Sequence, residues 1–290
     1  MKMNQVADPY SLSFLVTGWQ WGPFPLLVFL FSISAIYLYL KGYKIQRAKN
    51  HRWPFGRVVS FIAGILSLDI ALQSSIAYLV NVSFVAHIIQ HLLLMIAAPA
   101  LLALSNPSTM ILQTAPKKYR QLWSRVLRSP IFVAFTNPIT TWFTYYGLMW
   151  GFYNSSLIKT AMDQMFIMDI FNVAFFFAST CFWWPLISKD PITHFKMNYG
   201  FKLLTLAIGV PFESFLGVAI MSRKTTLAPM YSLSQIHAGG ELLWIISEVV
   251  IFVGIVPIFI EWIRAEERKA RRIDRELYGS SVVADDSISG

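Results

Sequence analysis

Cysteine is nearly absent from these 290 residues: the one thiol, Cys181, sits inside an apolar run. That excludes an intrachain disulfide framework, a CxxC redox pair and a multi-cysteine zinc site. Charge is scarce too. Asp, Glu, Lys and Arg make up 13% of the chain, against about 25% in a soluble domain. There is no barrel-type strand alternation, no His-Glu-x-x-His motif, no clear internal repeat and no segment that reads as a soluble domain. What is there is apolar. At 56% hydrophobic, the chain has the composition of a polytopic α-helical membrane protein.

Seven apolar runs emerge, at Trp21–Leu40, Val58–Leu79, Phe84–Leu104, Ile131–Trp150, Met165–Ile187, Phe201–Met221 and Gly239–Trp262. Each is near the ~20 residues that span a bilayer, so the fold class is all-α, a seven-transmembrane-helix bundle. No Ala-x-Ala cleavage pattern follows the N-terminus, and the first run is expected to be a retained anchor. Basic residues set the expected orientation. Of the 24 Lys and Arg, all but Lys2, Lys159, Arg223 and Lys224 fall in segments 41–57, 105–130, 188–202 and the tail after Trp262. The cytoplasmic bias of positive loops then places the N-terminus outside and the C-terminus in the cytoplasm. It also accounts for the net charge of +9 without nucleic acid as a partner. Residues 1–262 read as the transmembrane domain. Residues 263–290 read as a charged cytoplasmic tail near anionic lipid head groups, polar and unstructured from Ser280 on. The oligomeric state is left open.

The organising stretch is His87-Ile-Ile-Gln-His91-Leu-Leu-Leu-Met95. Histidines four apart share a helix face, and Met95 continues it one turn further. Ionisable groups inside a bilayer are costly, and each marks a functional hypothesis. With the expected orientation, His87 and His91 lie roughly 5 and 10 Å below the outer surface, Asp169 about 6 Å and Glu213 roughly 12 Å from it. Glu241 is shallow, His237 sits at the outer mouth of the last span, and Asp69 and Glu248 lie nearer the midplane. His51 and His194 belong to the opposite loops. The shared depth implies one site open to the extracytoplasmic side. Imidazole with thioether suits copper, especially Cu(I), while imidazole with carboxylate suits Cu(II), zinc or iron. The same residues also admit a proton relay or plain helix packing, so a metal site, a transporter pathway, an intramembrane metal enzyme and a scaffold stay open at this point.

Four segments carry a resemblance. HIIQHLLLMIAAPALLAL, FFFASTCFWWPLISKDP, PFESFLGVAIMS and QIHAGGELLWIISE resemble, in order and spacing, the third, fifth, sixth and seventh spans of the multi-spanning CtaG-type assembly factors of caa-type cytochrome c oxidase. The resemblance implies a non-enzymatic assembly factor in a bacterial plasma membrane, with oxidase subunits as partners and copper handling as the chemistry. The expectation built on these residues is an outward-facing intramembrane copper site with His87 and His91 as primary ligands and Met95 or His237 completing the set. Asp69, Asp169, Glu213 and Glu241 would serve for charge balance or ligand orientation. Glu213 stands where the family pattern has His, and Ser234-Gln235-Ile236-His237 replaces an Asp-Gln-Gln-like start of the last span. A donor moved from the sixth span to His237 is the expectation that follows.

Overall fold

A computed structural model describes residues 11, 14, 17–190 and 197–286; Lys2, His194 and the last four residues lie outside them. Every regular element among the described residues is helical. Helix α1 covers Pro23–Ala48, α2 Phe55–Gln73 and the short α3 Ser75–Leu79. Helix α4, Phe84–Leu92, passes through a π-helical segment, Leu93–Ala97, into α5, Ala98–Ser105, and then α6, Pro107–Thr114. Next come α7 (Lys117–Leu127), α8 (Pro130–Phe135), α9 (Pro138–Asn154) and α10 (Leu157–Asp163). Helices α11 (Met165–Ile187), α12 (Tyr199–Met221) and α13 (Leu233–Asp286) complete the order.

Helix starts follow from local chemistry. Pro23, Pro107, Pro130 and Pro138 each stand in a first turn, where a backbone N–H has no intrahelical partner to lose. Ser83, Ser129, Asn137 and Asn198 cap α4, α8, α9 and α12 by accepting first-turn N–H groups on their side chains.

Among the described residues, six stretches are long and apolar enough to cross a membrane: Pro23–Ala48, Phe55–Leu79, Phe84–Thr114, Met165–Ile187, Tyr199–Met221 and Leu233–Glu276. The expected fourth span differs. It is interrupted at Thr136 and Asn137, between α8 and α9, and α9 has 17 residues. The reason is local. Pro138 has no N–H for the carbonyl four residues back, and Asn137 starts a new helix by accepting from the Ile139 N–H at 2.9 Å. The last helix continues to Asp286. Its charged part carries i,i+4 pairs between Arg271 and Glu267 and between Arg272 and Glu276.

The outside of the bundle is apolar, with Met165 81% and Phe143 66% exposed, as a lipid-facing surface requires. Inside, Phe84, Ile88, Leu94, Tyr145, Phe152, Phe175 and Leu216 form the main core. Helices α12 and α13 cross where Gly217 meets Gly240. A Cβ on Gly240 would stand 2.9 Å from the Gly217 carbonyl oxygen, so the backbones approach as only small residues allow. At the far end of α5, Asn106 turns the chain in a left-handed conformation (φ 51°), and its Oδ1 accepts from the Lys189 N–H at 2.8 Å. Asp190 accepts the N–H groups of Ser108 and Thr109, which are first-turn donors of α6, and that of Trp184 Nε1.

Candidate functional site

The site begins with a defect in a helix. Pro99 has no N–H to offer the Met95 carbonyl four residues earlier, and its ring crowds that oxygen. The helix widens to π register over Leu93–Ala97, a distortion common at functional positions. The Met95 carbonyl accepts instead from Trp183 Nε1, at 3.0 Å. The paired tryptophans thus have separate roles: Trp183 ties α11 to this widened turn, and Trp184 donates to Asp190.

One turn before the π segment lie the two histidines. Their ring centroids are 4.4 Å apart and tilted by 30°. His87 is 0% and His91 2% exposed. Phe84 and Phe152 stack on His87 at 5.7 and 6.1 Å, and Phe175 packs on His91 at 4.5 Å. His91 Nδ1 and the Tyr153 hydroxyl share a hydrogen bond of 3.0 Å whose direction follows the imidazole tautomer. Both nitrogens of His87, and Nε2 of His91, are buried and have no hydrogen-bond partner among the described residues. Beside them is a cavity of about 10 Å³ lined by His91, Met95, Tyr145, Tyr153, Glu213 and Ser247. That is room for a single water or ion. The Tyr145 hydroxyl donates to Glu213 at 3.3 Å.

The structure therefore brings His91, Met95 and Glu213 to one cavity, with His87 against His91. The other expected residues lie elsewhere. Asp69 accepts from Ser32 Oγ at 2.5 Å and from Gln73 Nε2 at 3.0 Å, which joins α1 to α2. His237 Nε2 donates to the Arg223 carbonyl at 2.9 Å, a bond that holds the loop before α13. Asp169 is half-buried and Glu241 exposed, while Glu248 accepts from Ser214 Oγ. Among the described residues, no three His, Cys, Asp or Glu side chains are grouped to hold a metal ion.

The pair is also closed over rather than open to one side. Tyr231 roofs it, with its ring 5.3 Å from Phe84 and 6.3 Å from His87. Its hydroxyl donates to the Val80 carbonyl at 2.6 Å, and burial pushes that hydroxyl well above the usual tyrosine range. These tyrosines escaped the sequence reading. A signal existed: Tyr145, Met149, Phe152 and Tyr153 follow the i, i+4, i+7, i+8 spacing of one helix face. Aromatic stripes of that kind are common in any core, so the spacing alone did not separate them from packing.

Comparison with known proteins agrees with the sequence resemblance. The family described as cytochrome c oxidase caa3 assembly factor matches residues 37–265. An uncharacterized protein of Mycobacterium bovis and one of Mycobacterium tuberculosis are each 24% identical over 98% of this chain, and one of Mycobacterium leprae is 24% identical over 87%. The chain spans only 45%, 45% and 40% of those relatives' lengths. No solved structure matches. With the match running from inside α1 to the charged part of α13, the chain belongs to the caa3 cytochrome c oxidase assembly factor family.

Proposed function

We propose that this protein is a non-catalytic assembly factor for a caa-type cytochrome c oxidase, in the plasma membrane of a bacterium, and that it holds copper at His87 and His91 for delivery to an oxidase subunit. The observation that carries the copper reading is the set of three buried imidazole nitrogens without partners. Leaving a buried polar group unsatisfied costs about 1–3 kcal/mol, and a bound cation removes that cost at the one nitrogen of each ring that carries the lone pair. Imidazole with a thioether nearby favours copper, and the reduced ion above all. Met95 supplies the thioether and Glu213 the balancing carboxylate at the same cavity. With Nδ1–H of His91 donating to Tyr153, Nε2 keeps its lone pair for the metal. Copper here is cargo.

Seven spans complete the topology in this reading. Helix α9 alone reaches about 26 Å at 1.5 Å per residue, short of the ~30 Å hydrocarbon core. The six residues of α8 ahead of it supply the difference, with Ile131 and Phe135 exposed on its surface. The N-terminus lies outside, residues 263–290 form a cytoplasmic tail, and the histidine pair sits in the outer half. Metal analysis of the purified full chain under reducing conditions tests the site. We expect copper to be retained by wild type and lost from His87→Ala/His91→Ala; equal, negligible copper in both would end the ligand assignment. The closed geometry and the lack of a three-residue cluster favour one rival, a scaffold without copper. Added copper restoring oxidase activity to a deletion strain supports delivery, and failure to restore supports the scaffold.

A further inference from the structure

Between Asp69 and Asp163 the chain has no acidic residue, yet Lys117, Lys118, Arg120, Arg125 and Arg128 crowd into α7 and its end. Among the described residues none of the five takes part in a salt bridge. Helix α7 follows directly on the candidate span Phe84–Thr114, at the end opposite the histidine pair. At about 100° per residue its two halves separate cleanly. Tyr119, Leu122, Trp123, Val126 and Leu127 take one half, and Arg120, Gln121, Ser124 and Arg125 the other. Tyr119 and Leu122 are 58% and 52% exposed, an apolar stripe that nothing else in the chain covers among the described residues. The polar half faces an open depression of about 740 Å³, lined by Arg120, Gln121, Arg125, Arg128, Leu112 and Pro130. Arg128 spends its Nε on the Ser124 carbonyl at 3.1 Å, and among the described residues its terminal amino groups make no salt bridge.

We propose that this depression binds the phosphate of an anionic phospholipid, with α7 lying along the membrane surface. Three arginines offer forked donors to a phosphodiester. Leu112 and Pro130 leave apolar wall for the start of an acyl chain, and the Tyr119–Leu122–Val126 stripe, on the other half of α7, enters the head-group boundary. Basic pockets next to membrane helices recognise lipid head groups in this way, and a basic amphipathic helix with an exposed apolar stripe lies in the interface. The proposal needs only that the protein is membrane-embedded and is independent of the copper reading.

Native mass spectrometry of the full chain, released from detergent with phosphatidylglycerol or phosphatidylcholine added, provides the test. Wild type is expected to retain phosphatidylglycerol in preference to phosphatidylcholine. Neutralisation should weaken retention by about fivefold per arginine, on the order of 100-fold for Arg120→Gln/Arg125→Gln/Arg128→Gln. Arg125→Gln alone is the milder variant should the triple one fail to fold. The all-lysine counterpart, which keeps the charge, is expected to hold phosphatidylglycerol better than the glutamine form. Three results overturn the proposal: retention by folded glutamine variants equal to wild type, equal retention of the two lipids, or displacement of phosphatidylglycerol by millimolar inorganic phosphate, which would assign the pocket to a free anion.

Discussion

Single residues decide how the histidine pair is framed. Pro99 removes one N–H, and that subtraction exposes the Met95 carbonyl to Trp183 across the bundle. The two residues are therefore energetically coupled. Trp183→Phe in wild type leaves a buried carbonyl unsatisfied and should destabilise the protein by about 1–3 kcal/mol. In a Pro99→Ala background the alanine N–H can satisfy Met95, so the same substitution should cost clearly less. Thermal unfolding of the four proteins in detergent measures the coupling, and purely additive effects would show that Trp183 merely fills space. Pro99 and Trp183 were both visible in the sequence as a kink and an aromatic pair. The bond from Trp183 to the Met95 carbonyl was not, because 88 positions along two helices carry no information about which faces meet.

At the scale of elements, caps hold the junctions and one of them comes from a distant helix. Asp190, beyond the end of α11, accepts from Ser108 and Thr109 at the start of α6, where backbone donors lack partners and a negative charge meets the positive helix end. Burial raises the Asp190 carboxyl above its ordinary 3.8, with the bonds from Thr109, Ser108 and Trp184 opposing the rise. A carboxyl with a higher pKa folded than unfolded binds more protons in the folded state. Its contribution to stability therefore falls as pH rises from 3.8 through the raised pKa and is flat above it. Melting temperatures of wild type minus those of Asp190→Asn should decline across that interval. A difference that grows with pH would show that the hydrogen bonds, not burial, dominate. The sequence announced local caps such as Ser83 and Asn137 plainly, since donor and acceptor sit two or three residues apart. It was silent on Asp190, whose partners lie 81 and 82 residues away.

For the whole molecule, topology is the quantity to test. In a Cys181→Ser background, Lys159→Cys is expected to react with a membrane-impermeant thiol reagent on intact cells, and Lys117→Cys only after permeabilisation. The reverse pattern would invert the proposed orientation. The amino-acid sequence by itself determined the helical class, the apolar runs behind the six long helices, the charge asymmetry and the family resemblance. Hydrophobic length and charge position are one-dimensional properties, and the bilayer acts on them one segment at a time. Only the tertiary structure decided which of the polar groups on these helices meet. Depth along a span follows from residue number, but the direction a side chain faces within the bundle depends on how neighbouring helices pack. So Asp69 pairs with Ser32, His237 with the Arg223 carbonyl, and Glu213 with Tyr145, while His87 and His91 stay together because their spacing on one helix already required it.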